Sequence, residues 1–532
     1  MKGAPQEGAS TGLPEGAREA EEAQRRRERW GWAEPGVWTD RMLATLEEGV
    51  KGGRWFSLVD KVYAERTLRL AWERVQRNHG AAGVDRQSIE AFAARADRYL
   101  AELANDLRAG TYRPQPVRRV MIPKPGRPEK RPLGIPTVKD RVVQTALKLV
   151  LEPIWEAVFA EQSYGFRPRR GCKDALRRVV ELLQARATWV VDVDLKSYFD
   201  RIPHGGLIKE VEKRVADGRV LSLVRGYLTQ GVMDGLEHWQ ADAGTPQGAV
   251  ISPLLANVYL DPLDKAMMEQ GHQMVRYADD MVVLCRSREE AEAALGMLRE
   301  WVTAHGLTLH PEKTRVVDAS QRGGFDFLGY HFERGMRWPS ERSVKQFREA
   351  IRTKTRRTNG KSLATIVAEV NPIVRGWFGY FKHSHRTTFR RLDQWVRMRL
   401  RSILRRRRGG GLGWGVTNFG DLVLACGRGR QVSGIARCDG AHQTLGRHDV
   451  AAHAPLRKEP TGALPLPITK ADVIAIVIAS EGSGELLDRD ALGLFGVEVG
   501  LLDLSDETGV HHSSWRVMGQ QKTPPRTFVG WR

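Results

Sequence analysis

One segment of the chain limits its fold more than any other. Two short apolar runs, residues 274–277 and 281–285, are joined through Ala278, Asp279 and Asp280. Short apolar runs joined by a few polar residues predict a β-hairpin, so both carboxylates are expected at its tip. A hairpin this apolar needs a packed layer to cover it, which indicates a sheet inside a folded domain.

Another acidic residue ends a second apolar run. Residues 189–194 read Trp-Val-Val-Asp-Val-Asp, and their β-branched side chains predict a buried strand that ends at Asp194. If this strand neighbours the hairpin, the carboxylates of Asp194, Asp279 and Asp280 meet. Carboxylates clustered on rigid strands suit hard cations such as magnesium. Taken singly, each acid is an ordinary turn or strand-end residue.

The other apolar patterns predict an α+β fold. Residues 59–75, 247–268 and 289–305 have helical spacing, and the proline at position 253 is tolerated near a helix start. Segments 117–122 and 133–135 flank Pro-Lys-Pro-Gly and predict a basic hairpin. Residues 1–40 lack a sustained apolar period and predict a flexible or loosely helical arm. From about residue 343 the sequence predicts a basic, all-helical module.

Length and charge restrict the function. A chain of 532 residues exceeds one hydrophobic core, which predicts several domains. Its 84 Lys and Arg against 64 Asp and Glu give a net charge of +20, and such a field attracts nucleic acid. The apolar runs are too short for a membrane span and no signal sequence is visible, so a cytoplasmic, bacterial, nucleic-acid-associated protein is expected. None of the four cysteines forms a Cys-x-x-Cys pair, which argues against a disulfide framework or a zinc ribbon.

Several motifs, in order along the chain, carry a resemblance to a known family. They are Arg77-Asn-His-Gly-Ala-Ala-Gly-Val-Asp85, Ile122-Pro-Lys-Pro-Gly126, Arg131-Pro-Leu-Gly-Ile-Pro-Thr-Val-Lys-Asp-Arg141, Tyr164-Gly-Phe-Arg-Pro168, Asp194-Leu-Lys-Ser-Tyr-Phe-Asp200 and Tyr277-Ala-Asp-Asp280. The chain resembles a group II intron-encoded reverse transcriptase/maturase from about residue 62 to residue 408.

The resemblance implies a right-hand polymerase whose fingers and palm contain an antiparallel sheet, followed by an all-helical basic thumb/maturase domain. The implied boundaries are an N-terminal arm at 1–56, fingers at 57–187, palm at 188–335 and thumb at 336–410. Residues 411–532 do not resemble the family and are interpreted as a tail that is divergent or read in a shifted frame.

The resemblance also implies roles for single residues around the reacting nucleotide. Asp194, Asp279 and Asp280 would bind two Mg²⁺ ions. Lys313 would act as a general acid toward the leaving pyrophosphate. The residues that would contact the incoming dNTP are Lys124 and Arg131 at the triphosphate, Phe199 against the ribose 2′ position and Gln247 beneath the nascent base pair. A solvated hairpin for the two cations and core packing for Phe199 remain the simpler alternatives.

A further set would contact primer or RNA. Residues 325–332 resemble the hairpin that grips the primer end, although alternating aromatics also suit an ordinary buried hairpin. The implied contacts are Phe327, Leu328, Gly329, Arg375, Trp377, Lys382 and Arg397. Most aromatic residues of the thumb region are expected to pack helix against helix.

Three functions compete. The first is an RNA-directed DNA polymerase encoded by a group II intron, which uses an RNA template, a DNA primer or target and dNTPs, binds its intron RNA, and assists splicing and mobility. The second is an RNA-binding splicing cofactor with weak or no polymerase activity, and the three intact carboxylates argue against it. The third is a reverse transcriptase of the retron or diversity-generating type, or an RNA-templated RNA polymerase. The maturase-like segment and Phe199 argue against these.

Overall fold

A computed structural model describes residues 24–50, 52–123, 130–234, 237–239 and 243–407, with two dipeptides at 500–501 and 515–516. The described residues form two compact units, which divide between Met336 and Arg337. Lys124 and the predicted tail, apart from the dipeptides, lie outside the described residues. The boundaries of the fingers, palm and thumb stay predictions.

The elements of the first unit alternate between helices and short strands. The helices are α1 (Asp40–Glu48), α2 (Val59–Tyr63), α3 (Glu65–Arg77), α4 (Ile89–Ala93), α5 (Ala96–Ala109), α6 (Val138–Glu156), α7 (Cys172–Gln184), α8 (Tyr198–Arg201), α9 (His204–Glu212), α10 (Gly218–Thr229), α11 (Ser252–Glu269) and α12 (Arg288–Ala304). The strands are β1 (Val117–Pro123), β2 (Lys130–Ile135), β3 (Trp189–Asp194), β4 (Val232–Asp234), β5 (Glu237–Trp239), β6 (Gln273–Tyr277), β7 (Asp280–Cys285), β8 (Arg315–Asp318), β9 (Phe325–Phe327) and β10 (Tyr330–Glu333). The predicted α+β class is confirmed.

A four-stranded antiparallel sheet lies at the centre of the first unit, with strand order β6-β7-β3-β8. The interior residues of β6 and β7 are buried on both faces, which explains their nearly continuous apolar sequence. The predicted strand and hairpin are confirmed. The one difference is that Asp280 is the first residue of β7 and pairs with Tyr277, so it lies just below the hairpin tip.

The basic hairpin predicted from residues 117–135 is also confirmed. Strands β1 and β2 pair antiparallel, and β4 adds in parallel on the other side of β1. The backbone N–H of Gly134 donates to the Gln247 carbonyl at 2.7 Å. This contact ties the hairpin to the loop that precedes α11.

Two predicted helices have different limits in the structure. The helix predicted from residue 247 begins at Ser252, because the preceding loop uses its backbone elsewhere: the Val250 N–H donates to Gln144 Oε1 at 2.8 Å. The helix predicted over residues 59–75 is divided into α2 and α3 at Ala64, whose ψ of 132° is extended. Apolar spacing alone did not reveal either change of direction.

The described part of the N-terminal arm is helical at residues 24–30 and 40–48, as one of the two predicted alternatives has it, but it is packed rather than loose. Trp30 and Trp38 are 2% and 1% exposed, and Trp38 Nε1 donates to the Leu149 carbonyl at 3.0 Å. Each large aromatic side chain buries roughly 150–250 Å² of surface, so two tryptophans contribute substantially to a core. Such anchors hold a segment against a core without any regular period.

The second unit is helical and basic. It contains α13 (Glu341–Lys354), α14 (Leu363–Phe381) and α15 (Thr387–Arg407), and the short strand β11 (Met336–Pro339) spans the division between the units. Apolar side chains from the three helices form its core. Residues 337–407 hold twenty Lys and Arg against four Asp and Glu, so most of the net charge of +20 belongs to this segment. The predicted basic helical module is therefore confirmed. Across the described helices, none combines the length and apolarity needed to span a membrane.

Candidate active site

Two of the predicted carboxylates face each other across neighbouring strands. Asp194 ends β3 and Asp280 begins β7, and they are direct partners in the antiparallel register. Direct partners have Cβ atoms about 4.5–5.5 Å apart and project from the same face of a sheet. Asp279 precedes Asp280 in the turn. The three aspartates therefore meet at one edge of the central sheet.

The charge at this edge is only partly compensated. Desolvation by the surrounding protein, followed by the charges of Asp279, Asp192 and Asp194, raises the pKa of Asp280 to about 7. A hydrogen bond from the Leu328 backbone N–H to Asp280 acts in the opposite direction. Desolvation also raises the pKa of Asp192 to about 6, against the attraction of Arg315, whose Nε lies 3.4 Å from Asp192 Oδ2.

The donors at this edge fit magnesium chemically, although they do not yet converge on one point. Among the described residues, no group of three or more His, Cys, Asp or Glu side chains is arranged around a common metal position. Instead, Asp194 Oδ2 accepts a hydrogen bond from Lys313 Nζ at 2.5 Å. Hard carboxylate oxygens with surplus negative charge are the ligands that Mg²⁺ prefers. Asp194, Asp279 and Asp280 are the residues that would hold the ions.

Lys313 is placed by a loop that is hydrogen-bonded to the end of β3. The His310 N–H donates to the Asp194 carbonyl at 2.7 Å, and the Lys196 N–H donates to the Thr308 carbonyl at 2.9 Å. The structure thus brings Lys313 to the predicted site, but onto a carboxylate. Its expected action on a leaving group stays a prediction and requires that it first leave Asp194.

Phe199 and Gln247, predicted beside the ribose and the base, lie close to each other. Gln247 belongs to the loop 244–248, and the Thr245 N–H of that loop donates to the Phe199 carbonyl at 2.7 Å. Phe199 lies on α8, just beyond β3, and its ring contacts those of Tyr198 and Phe166 with centroids 5.4 and 6.4 Å apart. Gln247 Nε2 donates to Asp200 Oδ1 at 2.9 Å.

Gly244 permits this approach between the loop and α8. Its φ is +93°, and a Cβ there would lie 2.8 Å from the Phe199 carbonyl oxygen. Only glycine adopts that backbone so close to another chain segment without strain. Gly244, the first residue of loop 244–248 (Gly-Thr-Pro-Gln-Gly), therefore permits the contact between that loop and Phe199.

The hairpin predicted to grip the primer reaches the carboxylate edge. Strands β9 and β10 are joined by Leu328 and Gly329, with φ of +47° and +80°. Positive φ at both positions is typical of the tight hairpin turn of type I′. Because the Leu328 N–H donates to Asp280, this turn contributes directly to the arrangement of the carboxylates. Phe327 is buried within the hairpin.

The remaining predicted residues lie elsewhere. Arg131 lies on β2 opposite Ile122. In the second unit Arg375 and Lys382 are exposed, whereas Arg397 Nε pairs with Asp393 at 2.9 Å. The Trp377 ring packs against Phe347 and Phe381, with centroids 4.8 and 4.7 Å away. RNA contacts for these residues stay predictions.

Sequence reasoning missed several residues at or near this edge. They are Asp192, Asp200, Asp264, Arg276 and Arg315. Two of them carried a readable signal: Asp192 is two positions from Asp194 and so shares its face of the strand, and Asp200 closes the same motif. Arg276 also stands out as the one charged residue within the short strand β6, since a charge in a buried strand needs a partner.

Comparisons with known proteins agree with the motifs. A model of reverse transcriptases (RNA-dependent DNA polymerases) matches residues 122–332, and a model of the group II intron maturase-specific domain matches residues 344–416. Protein YkfC of Escherichia coli (strain K12) is 32% identical over 359 residues, which cover 59% of this chain and 88% of that protein.

The group II intron-encoded protein LtrA of Lactococcus lactis subsp. cremoris is 37% identical over 202 residues. These cover 38% of this chain, and the chain spans 33% of the length of LtrA. A solved telomerase from Candida albicans matches 59% of this chain and 64% of its own chain at 12% identity, with a TM-score of 0.35. That score is too low to compare the two folds in detail.

Proposed function

Since the chain belongs to the group II intron-encoded reverse transcriptase/maturase family, we propose that it is an RNA-directed DNA polymerase that uses dNTPs and two Mg²⁺ ions. The observation that carries this proposal is the direct pairing of Asp194 with Asp280 on neighbouring strands, beside Asp279. Opposed like charges cost stability, and a fold retains them where a cation is to be bound.

The chemistry divides between the ions and the chain. Magnesium ions bound there would stabilise the attacking and leaving oxygens of nucleotidyl transfer. The protein's own part is to hold the carboxylates on two hydrogen-bonded strands and to orient Asp280 through the Leu328 N–H. Lys313 balances the charge of Asp194 until substrate and ions arrive, and is then in reach of the pyrophosphate.

Nucleotide selection falls to the residues around α8. The Phe199 ring is held by Tyr198 and Phe166 at the end of β3, where it would exclude a ribose 2′-hydroxyl. Gln247, held by Asp200, would support the nascent base pair. We further propose that the basic second unit binds the RNA of the encoding intron and assists its splicing and mobility.

The test is primer extension by the full chain on an RNA template with dNTPs and Mg²⁺. The wild type should make DNA, and the double variant Asp279→Ala, Asp280→Ala should make none. Asp318→Asn is the matched control, because Asp318 lies on the same sheet opposite Trp189, at the far end of β3 from Asp194, and should extend like wild type. A well-folded wild type without DNA product would refute the polymerase.

RNA binding separates this function from that of a splicing cofactor without polymerase activity. The double variant should still bind the RNA template with wild-type affinity, since its changes are confined to the carboxylate edge. Extension lost together with RNA affinity would show that the variant is misfolded rather than catalytically impaired, and Asp280→Asn would then replace it.

A further inference from the structure

Among the described residues of the first unit, the most deeply buried charged residue is Arg276. It directly precedes the turn formed by residues 277–280 between β6 and β7. The side chains of Arg276, on β6, and Asp264, on α11, are both 0% exposed. Burying a guanidinium and a carboxylate carries a large desolvation cost before their attraction is counted. Such a pair therefore calls for a reason beyond stability.

Every hydrogen bond of this guanidinium has a defined target. Nε donates to Asp264 Oδ1 at 2.7 Å, and Nη2 donates to Asp264 Oδ2. Nη1 donates to Asn257 Oδ1 at 2.9 Å and to the Ala278 carbonyl at 3.0 Å. Asn257 and Asp264 are seven residues apart on α11, so one face of that helix presents both. The arginine thus connects a buried helix to the turn that carries Asp279.

The turn needs such support because its backbone is unusual. Ala278 has φ of +59°, a left-handed conformation that is strained for a residue with a Cβ. The loop beneath the turn is held by the same network: Asn257 Nδ2 donates to the Gly165 carbonyl at 2.8 Å, and the Tyr164 N–H donates to the Arg276 carbonyl at 2.8 Å. The Ala278 carbonyl is held by Arg276, while the next two residues along the chain, Asp279 and Asp280, lie at the site.

We propose that Arg276 is a positioning residue that, with Asp264 and Asn257, locks the Ala278 turn in its left-handed form and so sets Asp279 and Asp280 for metal binding. This inference rests on the proposed function for its consequence, but the lock itself concerns the chain alone. The simpler alternative is an ordinary buried ion pair. It predicts a loss of stability without any specific change at the turn.

A second buried arginine provides the matched control. Arg167 makes a bidentate pair with Glu156, at 2.9 and 2.8 Å, and donates to the carbonyls of Ala160 and Ser163. Like Arg276 it is almost fully buried, but none of these four bonds goes to the 277–280 turn. Replacing both members of either pair removes two buried charges without leaving one unpaired.

The experiment compares the full-length double variants Asp264→Leu, Arg276→Met and Glu156→Leu, Arg167→Met with wild type. Hydrogen exchange of the peptide spanning 276–281 is measured without metal, RNA or dNTP. Mn²⁺ affinity is measured by electron paramagnetic resonance, and primer extension gives kcat and KM for dNTP. Arg276→Lys is a further variant: it keeps a buried cation for Asp264 but lacks the fork that reaches Asn257 and Ala278.

The turn lock predicts faster exchange at 276–281 in the Arg276 variants, Mn²⁺ affinity lower by about 10-fold or more, and a fall in kcat with KM for dNTP little changed. The Arg167 pair variant acts on the turn only through the 160–163 loop, so it should change each of the three clearly less than the Arg276 pair variant. Wild-type exchange and Mn²⁺ affinity in Arg276→Lys, or equal changes in the two pair variants, would overturn the inference. A wild type that extends no primer would refute the polymerase but not the lock, which the exchange data decide.

Discussion

At the scale of single residues, the carboxylates at the edge of the central sheet lower the stability of the fold. Asp194 and Asp280 are direct cross-strand partners, and like charges in that position destabilise a sheet by a few tenths to about 1 kcal/mol. Desolvation raises the pKa of Asp280 to about 7, and the charges of Asp279, Asp192 and Asp194 add to the rise. Asp280 therefore lowers the stability of the fold, which indicates that it serves another purpose.

Removing one of these charges should therefore separate stability from activity. Asp280→Asn keeps the size of the side chain and its hydrogen bond from the Leu328 N–H. We expect the free energy of unfolding to rise by up to about 1 kcal/mol without metal, while primer extension falls by about 100-fold or more. Urea denaturation and primer extension measure the two effects. An Asp280→Asn variant less stable than wild type would contradict the explanation from charge repulsion. The control Asp318→Asn should change neither the free energy of unfolding nor primer extension.

A second single-residue test addresses the packing beneath the turn. A Cβ at Gly165 would lie 2.3 Å from the Ala278 nitrogen, whereas nothing lies within 4 Å of a Cβ at Gly296, in the middle of α12. We expect Gly165→Ala to cost about 1–3 kcal/mol and to reduce extension, because the backbone of the turn must move.

Gly296→Ala serves as the control, since alanine in a helix is about 1 kcal/mol better than glycine. Thermal denaturation of both variants, followed by primer extension, checks the pair. Equal stability of the two alanine variants would show that the loop at Gly165 yields more easily than the structure indicates.

At the scale of elements, one buried aspartate joins the starts of two helices. Asp217 Oδ2 accepts the backbone N–H groups of Leu58 and Val59 at 2.6 and 2.8 Å, and Oδ1 accepts those of Arg219 and Val220 at 3.0 and 3.2 Å. These four donors belong to the N-terminal ends of α2 and α10, where unpaired N–H groups and the positive ends of the helix dipoles favour an anion. Segments 159 residues apart are thus connected by one side chain.

Loss of that connection should cost more than loss of an ordinary cap. Asp217→Ala leaves four backbone donors without their carboxylate, and we expect the free energy of unfolding to fall by about 2 kcal/mol or more. Thr39 caps α1 alone, at the surface, by accepting the Met42 N–H at 3.4 Å, so Thr39→Ala should cost about 0.5–1 kcal/mol. Chemical denaturation of both variants gives the comparison. Equal losses would mean that the two helix starts are not energetically linked through Asp217.

At the scale of the whole molecule, charge is divided unevenly along the chain. The helical segment 337–407 carries sixteen of the twenty net positive charges, whereas the sheet edge of the first unit is acidic. Polyanion binding by Lys and Arg releases counterions and so depends on salt. The division predicts that affinity for RNA and chemistry on nucleotides are properties of different segments.

The predicted RNA contacts of the second unit can be tested through this salt dependence. Arg375→Gln with Lys382→Gln removes two exposed cations. If both contact phosphates of a single-stranded RNA, the slope of log K against log salt should decrease by about 1.4. Fluorescence anisotropy over a salt series measures the slope.

The control changes net charge equally within the first unit. Arg98→Gln with Arg288→Gln removes two exposed cations that are paired with Glu102 and Glu292, and the slope should stay near that of wild type. The same decrease in both double variants would show that net charge, rather than these positions, governs RNA affinity.

The sequence by itself determined most of the elements and singled out the three candidate carboxylates. Apolar runs at 189–194 and 274–285 specified the central strands, because strand and helix periods are local properties that a short window reveals. The order of the motifs likewise predicted the family. Prediction from local pattern failed where tertiary contacts decide the conformation. Trp30 and Trp38 lie in a segment without an apolar period yet are buried, and residues 247–251 form a loop despite their apolar spacing.

Only the tertiary structure decided which groups meet. Four contacts join segments that are distant in sequence or lie on different elements. The strand register places Asp194 opposite Asp280, and the Leu328 N–H donates to Asp280. The ammonium of Lys313 donates to Asp194, and Arg276 is buried against Asp264. Such contacts depend on how strands pair and how helices pack, and a local period does not encode them. The sequence singled out the three aspartates, and the fold determined what holds them in place.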